Sequence, residues 1–347
     1  MTSASPAKDL LAWYDRHRRD LPWRAHAGTR QDPYRVWLSE IMLQQTTVAT
    51  VRERYLAFLE RWPDIHSLAG APLETVLAEW AGLGYYARAR NLHACAVAVA
   101  TQYDGALPAT PDALSALPGI GAYTSGAIAA IAFDFPIVPV DGNVERVAAR
   151  YFNIDTPLPA ARAAIATAAQ GFLDPARPGD VAQALMDLGA TVCRPRQPDC
   201  LVCPLRDGCA ARKAGRQEEL PVKVAKKPRP ERRGRVYCIF SREGDVLLRR
   251  RPPKGLLGGM SELPGSAWDE GAMPKFEAPL DARWQQLPGS VRHVFTHFGL
   301  ELTVHRAHMQ RINPPEGWWW QPLSRIGEAG LPTVMVKALD HARKVYS

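Results

Sequence analysis

LSALPGIGAYTSGAIAAIAF, residues 114–133, gives an apolar helix end, a Pro-Gly-Ile-Gly turn and the start of a second helix. The first turn of that second helix carries backbone N–H groups with no intrahelical partner. Gly119 and Gly121 permit a close approach that a Cβ would block, and the helix dipole favours negative charge there, so the turn reads as a phosphate site. Many helix pairs turn on glycine, and the meaning of this one depends on what lies on either side.

Upstream, residues 35–105 read as successive helices: RVWLSEIMLQQTTVATVRERYLAFLERW, LETVLAEWAGL and NLHACAVAVATQY all place apolar residues at helical spacing. Downstream, the run CRPRQPDCLVCPLRDGC holds Cys193, Cys200, Cys203 and Cys209, with six, two and five residues between them. A segment this rich in Pro, Arg and Asp is not a core segment, so the four thiols read as one ligand set. Only Cys95 and Cys238 remain, which excludes a disulfide framework. One CxxC flanked by wider gaps suits the four corners of a [4Fe-4S] cluster better than the paired knuckles of a structural zinc, which stays the alternative.

The chain of 347 residues is 46% hydrophobic and 22% charged, ordinary values for a globular protein with room for two cores. No apolar run approaches the ~18 residues of a membrane span, and a cytoplasmic protein is expected. Of the net charge of +8, residues 1–210 contribute −2, residues 211–235 contribute +7 and the remainder +3. The basic stretch ARKAGRQEELPVKVAKKPRPERRGR reads as an exposed linker, and solubility explains it as well as phosphate contact does. Residues 1–210 contain one lysine, Lys8, so a Schiff-base mechanism has no evident amine in the middle of this region.

Beyond the linker the pattern changes. RVYCIF, the turn REGD and VLLRR read as a hairpin, FGLELTVHRAHM alternates as a strand, and TVMVKALDHARKV closes the chain as a helix. This half is α+β, and RRRPPKGLLGGMSELPG resembles the start of a Nudix fold. No Glu-rich Nudix helix follows it, so the domain is expected to bind without catalysing.

Glu40 is the only acid among Trp37, Leu38, Ile41, Met42 and Leu43 in WLSEIMLQQT. An acid walled by apolar side chains resists ionisation and can donate a proton near neutral pH, whereas spacing alone favours an exposed glutamate on the polar face of an amphipathic helix. Asp141 in VDGNV has turn and helix-cap chemistry.

WLSEIMLQQT, GLGYYARARNL, LPGIGAYTSGAI, VDGNVERV and ALMDLGATVC occur in one order ahead of the cysteine loop. Together they closely resemble the MutY-type adenine DNA glycosylases of the endonuclease III superfamily, strongly over residues 10–215 and more loosely beyond. The resemblance implies an all-α helix-hairpin-helix glycosylase domain with an iron-sulfur cluster loop, followed by an α+β Nudix-like domain. The expected boundaries are 1–213 (a six-helix module near 30–135, a cluster module from 1–29 and 136–213), a linker 214–233, and a lesion-recognition domain 234–347. It further implies a monomeric enzyme that binds double-stranded DNA containing A:8-oxoguanine or A:G and excises the adenine.

The family's catalytic acid then falls on Glu40, its catalytic aspartate on Asp141, and Tyr123 stands where bifunctional relatives carry the Schiff-base lysine. Asn143 shares the task of orienting Asp141, with a helix cap as its competitor. Gln44, Gln45, Leu83 and Tyr85 fall at positions that intercalate or touch the lesion strand, with Leu43 and Thr46 beside them. Gly119 and Gly121 form the hairpin turn that meets DNA. Arg19, Trp23, Arg24 and Gln183 resemble residues lining the adenine pocket, where salt bridges or core packing compete as explanations. VRHVFTHFGL resembles the loop that senses 8-oxoguanine, with Phe295, Thr296 and His297 at its centre and Thr in place of the usual Ser. An endonuclease III-like glycosylase/lyase and a non-catalytic iron-sulfur DNA-binding protein are the competing readings.

Overall fold

A computed structural model describes residues 6–25, 29, 31–224, 228–252 and 255–344. The chain divides into two compact units, one formed by Met1–Glu79 with Arg88–Ala225 and the other by Trp80–Ala87 with Lys226–Ser347.

The first unit is helical: α1 (Pro6–His17), α2 (Pro33–Leu43), α3 (Val48–Arg61), α4 (Ile65–Ala69), α5 (Leu73–Glu79), α6 (Ala87–Gln102), α7 (Pro111–Ser115), α8 (Ala122–Phe133), α9 (Gly142–Tyr151), α10 (Arg162–Ala169), α11 (Pro178–Thr191) and α12 (Ala210–Lys213). α2 begins where Asp32 accepts the amides of Tyr34 and Arg35, with Pro33 in the first turn, where its missing N–H costs nothing. α8 is buried from Thr124 to Ala132 because α2, α7 and α11 pack around it. That environment explains a helix with almost no polar face. Around α1, α9, α10 and α11, a second core gathers Leu10, Tyr14, Val144, Ile165, Phe172, Leu185 and Leu188.

The second unit is a mixed sheet with one covering helix. Its strands are β1 (Glu231–Ser241), β2 (Asp245–Arg250), β3 (Ser261–Glu262), β4 (Asp269–Glu270), β5 (Gln285–Gln286), β6 (Val291–Val294), β7 (Gly299–Met309) and β8 (Trp318–Pro322), with α13 over Thr333–Arg343. The central order is β3-β2-β1-β7-β5, with β4 on β1, β6 on β7 and β8 on β2. β1 and β7 run parallel from Glu231↔Gly299 to Ser241↔Met309. Their inward residues Val236, Cys238, Leu300, Leu302 and Val304 pack with Val334, Met335 and Leu339 of α13.

Part of the stretch expected as a linker, 214–233, packs on the helical unit. Leu220 is buried, its carbonyl accepts the Arg150 side chain, and the Leu158 amide donates to the Val222 carbonyl at 2.9 Å. Residues up to about 223 therefore belong to the helical unit. The strand β1 begins at Glu231. Charge density marked the whole stretch as solvated and hid the apolar Leu-Pro-Val that anchors its first half.

Candidate active site and cysteine cluster

Glu40 lies in the last turn of α2 and is buried. Burial pushes its carboxyl up to about 7; a hydrogen bond from Tyr123 and the charge of Arg24 oppose this, and the charge of Asp141 adds to it. Tyr123, in the first turn of α8, has its phenol pushed well above the usual range by burial first and then by the neighbouring Glu40 and Asp141. The phenol thus stays a neutral hydrogen-bond donor.

Asp141 caps α9: its Oδ1 accepts the amides of Asn143 and Val144 at 2.9 and 2.7 Å. Its Oδ2 accepts the Asn143 side-chain amide at 2.9 Å. The residue expected to be functional is therefore also the cap of α9, and the Asn143 side chain hydrogen-bonds Asp141 without capping. Asn143 in turn accepts Arg146 at 2.9 Å, and Arg146 also donates to the carbonyls of Gly189 and Cys193, both at 2.8 Å. Gly189 is required here, since a Cβ would stand 2.6 Å from that of Asn143.

A cavity of about 430 Å³ opens beside Glu40. Among its walls are Arg19, Trp23, Arg24, Leu43 and Gln183, so all four residues read as adenine-pocket positions do face one space. Gln183 donates to the Gly179 carbonyl at 3.2 Å. Arg19 and Arg24 also make salt bridges, both to Asp187, which is fully buried on α11. Pocket lining and ion pairing are both present at Arg19 and Arg24.

Sequence reasoning missed Asp187. It is four residues from Gln183 and so on the same helical face, an acid among apolar neighbours in ALMDLGA, which is the criterion that singled out Glu40. Also missed were Arg146 and Arg150, because arginines in an amphipathic helix look like solvated positions.

At the rim, Gln44 donates to Thr124 at 3.1 Å, and Gln45 is exposed in the left-handed region (φ 55°). Thr46 accepts Arg88 at 2.9 Å. Gly119 has φ 76°, and a Cβ on it would lie 2.6 Å from Asn91, so the turn admits only glycine; Gly121 caps α8 with no side chain over the free amides. Leu83, expected at a DNA face, is only 4% exposed and is a packing residue as the structure stands. Tyr85 is 51% exposed with φ 49°. Within the second unit its hydroxyl lies 3.3 Å from that of Thr296. Phe295 and Phe298 close a tight turn, 2.9 Å from amide to carbonyl, that displays Thr296 and His297 to solvent.

The four cysteines line one cavity of about 420 Å³ together with Arg150, Leu188 and Arg206. Arg150 is buried, lies 3.2 Å from the Cys193 sulfur and donates to the carbonyls of Arg194 and Pro195 at 2.7 and 3.1 Å. Burial pushes the Cys203 thiol up to about 12, and Cys193, Cys200 and Cys209 each add to the rise. The four thiols thus share one pocket wall and one another's electrostatic field, while no three of them stand together as a preformed ion-binding group among the described residues.

Residues 38–169 match the HhH-GPD superfamily base excision DNA repair protein model, and residues 235–341 match a NUDIX domain. The chain is 36% identical to human adenine DNA glycosylase over 94% of its own length and 72% of the human protein. It is 42% identical to the Mycolicibacterium smegmatis adenine DNA glycosylase over 61% of this chain and 71% of that one. Among solved structures, a thermostable thymine-DNA glycosylase superposes with a TM-score of 0.54 at 30% identity, covering 60% of this chain and 95% of that one. The helical site, the sheet that follows it and likeness over nearly the whole chain agree: this chain belongs to the adenine DNA glycosylase family of base-excision repair enzymes.

Proposed function

We propose that the enzyme hydrolyses the N-glycosidic bond of adenine paired with 8-oxoguanine or with guanine in double-stranded DNA, with little or no strand cleavage of its own. One observation carries this reading. Glu40, whose carboxyl is raised to about 7, shares hydrogen-bonding and charge contacts with Tyr123 and Asp141 at a cavity, in a unit whose central residues offer no lysine.

The adenine leaves the duplex at a cost of a few kcal/mol and enters the cavity beside Glu40. Glu40 donates its proton to N7 of the base. The electrons of the C1′–N9 bond depart with the neutral adenine, and positive charge develops on the sugar. Asp141, held by three donors from Asn143 and Val144, meets that charge by electrostatics or as a transient adduct at C1′. Water then adds its oxygen to C1′, and its proton returns to a carboxylate. The division of labour parallels a retaining glycosidase. Tyr123 fixes Glu40 and supplies no amine, which supports hydrolysis over lyase chemistry.

For the cysteine loop, Cys193, Cys200, Cys203 and Cys209 would hold a [4Fe-4S] cluster, and the group supplies a structural clasp there. What supports the cluster is four thiols lining one pocket, with Arg150 ordering the loop backbone. Thr296 and His297 stand at the exposed turn of the second unit as the proposed 8-oxoguanine sensor.

The test is incubation with duplexes holding A opposite 8-oxoguanine, G or T, with and without hot alkali. Breakage at the adenine that needs alkali, fastest opposite 8-oxoguanine, is expected. Breakage without alkali, or at an oxidised pyrimidine, contradicts the reading in favour of a lyase.

A further inference from the structure

The cavity beside Glu40 is walled by two arginines, which is an awkward setting for a group that must hold a proton. Arg24 is 8% exposed at its side chain and lowers the tendency of Glu40 to stay protonated. Among the described residues, the other groups facing Glu40 are few. α8 brings Tyr123 as a donor, the cap of α9 brings Asp141, α11 brings the uncharged Gln183, and α2 adds only Ser39. A bare pair of guanidinium ions here would favour the ionised glutamate and remove the acid from the reaction.

Asp187 answers both cations. Its Oδ1 accepts Arg19 Nε at 2.6 Å and Arg24 Nη2 at 2.8 Å, and its Oδ2 accepts Arg24 Nη1 at 2.6 Å and the Arg19 amide at 3.0 Å. Four donors on a fully buried carboxylate leave it nothing further to offer a substrate. Arg24 presents both terminal nitrogens to it in a fork, which also fixes which way the guanidinium faces. With Asp187 the wall carries one net positive charge; without it, two.

We propose that Asp187 is a positioning residue, clamping Arg19 and Arg24 and cancelling enough of their charge for Glu40 to keep its proton until the base arrives. This rests on Glu40 being the acid, as proposed above.

Single-turnover base release, measured from pH 5 to pH 9 on an A:8-oxoguanine duplex, separates the possibilities. The parent rate should fall as pH rises through about 7, and Glu40→Gln should remove the activity; failure of either overturns the acid assignment itself. Asp187→Asn should move the fall to lower pH by roughly one unit or more, so the variant is ~10-fold slower than the parent at pH 8 and approaches it near pH 5. Asp187→Glu, which keeps the charge, should leave the midpoint in place whatever its rate. A loss equal at every pH, or an unmoved midpoint in Asp187→Asn, overturns the proposal and leaves Asp187 a structural residue. If that variant does not fold, Arg24→Gln tests the same charge balance from the other side. Its midpoint should move upward, and a downward shift or none overturns the proposal.

Discussion

Glu40 is costly to keep where it is. Its carboxyl ionises at about 7 when folded, against an ordinary value of 4.5, so between those pH values the unfolded chain releases a proton that the folded protein retains. Stability attributable to this group is therefore full below pH 4.5, falls as pH rises towards 7 and is at its lowest beyond. Glu40→Gln should abolish base release, if Glu40 is the acid proposed above, and should also remove that deficit. Chemical denaturation should find the variant more stable than the parent by up to about 3 kcal/mol at pH 8, and equal to it near pH 4. Equal stability at both pH values would mean that Glu40 ionises normally. The helix WLSEIMLQQT made Glu40 legible as an acid among apolar residues, yet only its resemblance to a family string decided between a buried acid and a solvated one. Asp187 carried the same local signature and went unread, because its partners Arg19 and Arg24 are distant in sequence and no local pattern announces them.

Among the elements, α9 joins the chemistry to the cysteine loop. Asp141 caps its start, Arg146 one turn on ties Asn143 to the Cys193 carbonyl, and Arg150 a turn later holds the loop at Cys193, Arg194 and Pro195. The cysteine loop stood out by spacing, since four thiols in one short segment are local information, and their role as a ligand set is the proposal made above. The arginines that hold the loop were not, because they meet it only through the packing of α9. Iron and acid-labile sulfide should be found at four each per chain, with the broad visible absorption of such a cluster, and Cys200→Ser should lose both. A colourless protein with one zinc would contradict the cluster. The hairpin between α7 and α8 was readable because φ 76° at Gly119 is a backbone demand that glycine alone meets cheaply.

At the scale of the molecule, the chain sets base excision chemistry in a helical unit and attaches a sheet unit with a displayed turn at 295–298. The change from helical to alternating periodicity made that division legible, and charge density located it near residue 230. It missed the anchoring of Leu220 and Val222, for apolar contacts made by a charged segment leave no periodicity to read. The +7 of residues 211–235 thus belongs partly to the surface of the helical unit. No step in the proposed reaction draws on that charge, and none draws on the cysteine loop; bond cleavage is assigned to Glu40 and Asp141 alone. The most direct measurement compares Asp141→Asn with the parent for single-turnover adenine release and for binding of the same A:8-oxoguanine duplex. Base release should fall ~10²- to 10⁴-fold with binding kept within a few-fold. Undiminished release in the variant would contradict the account.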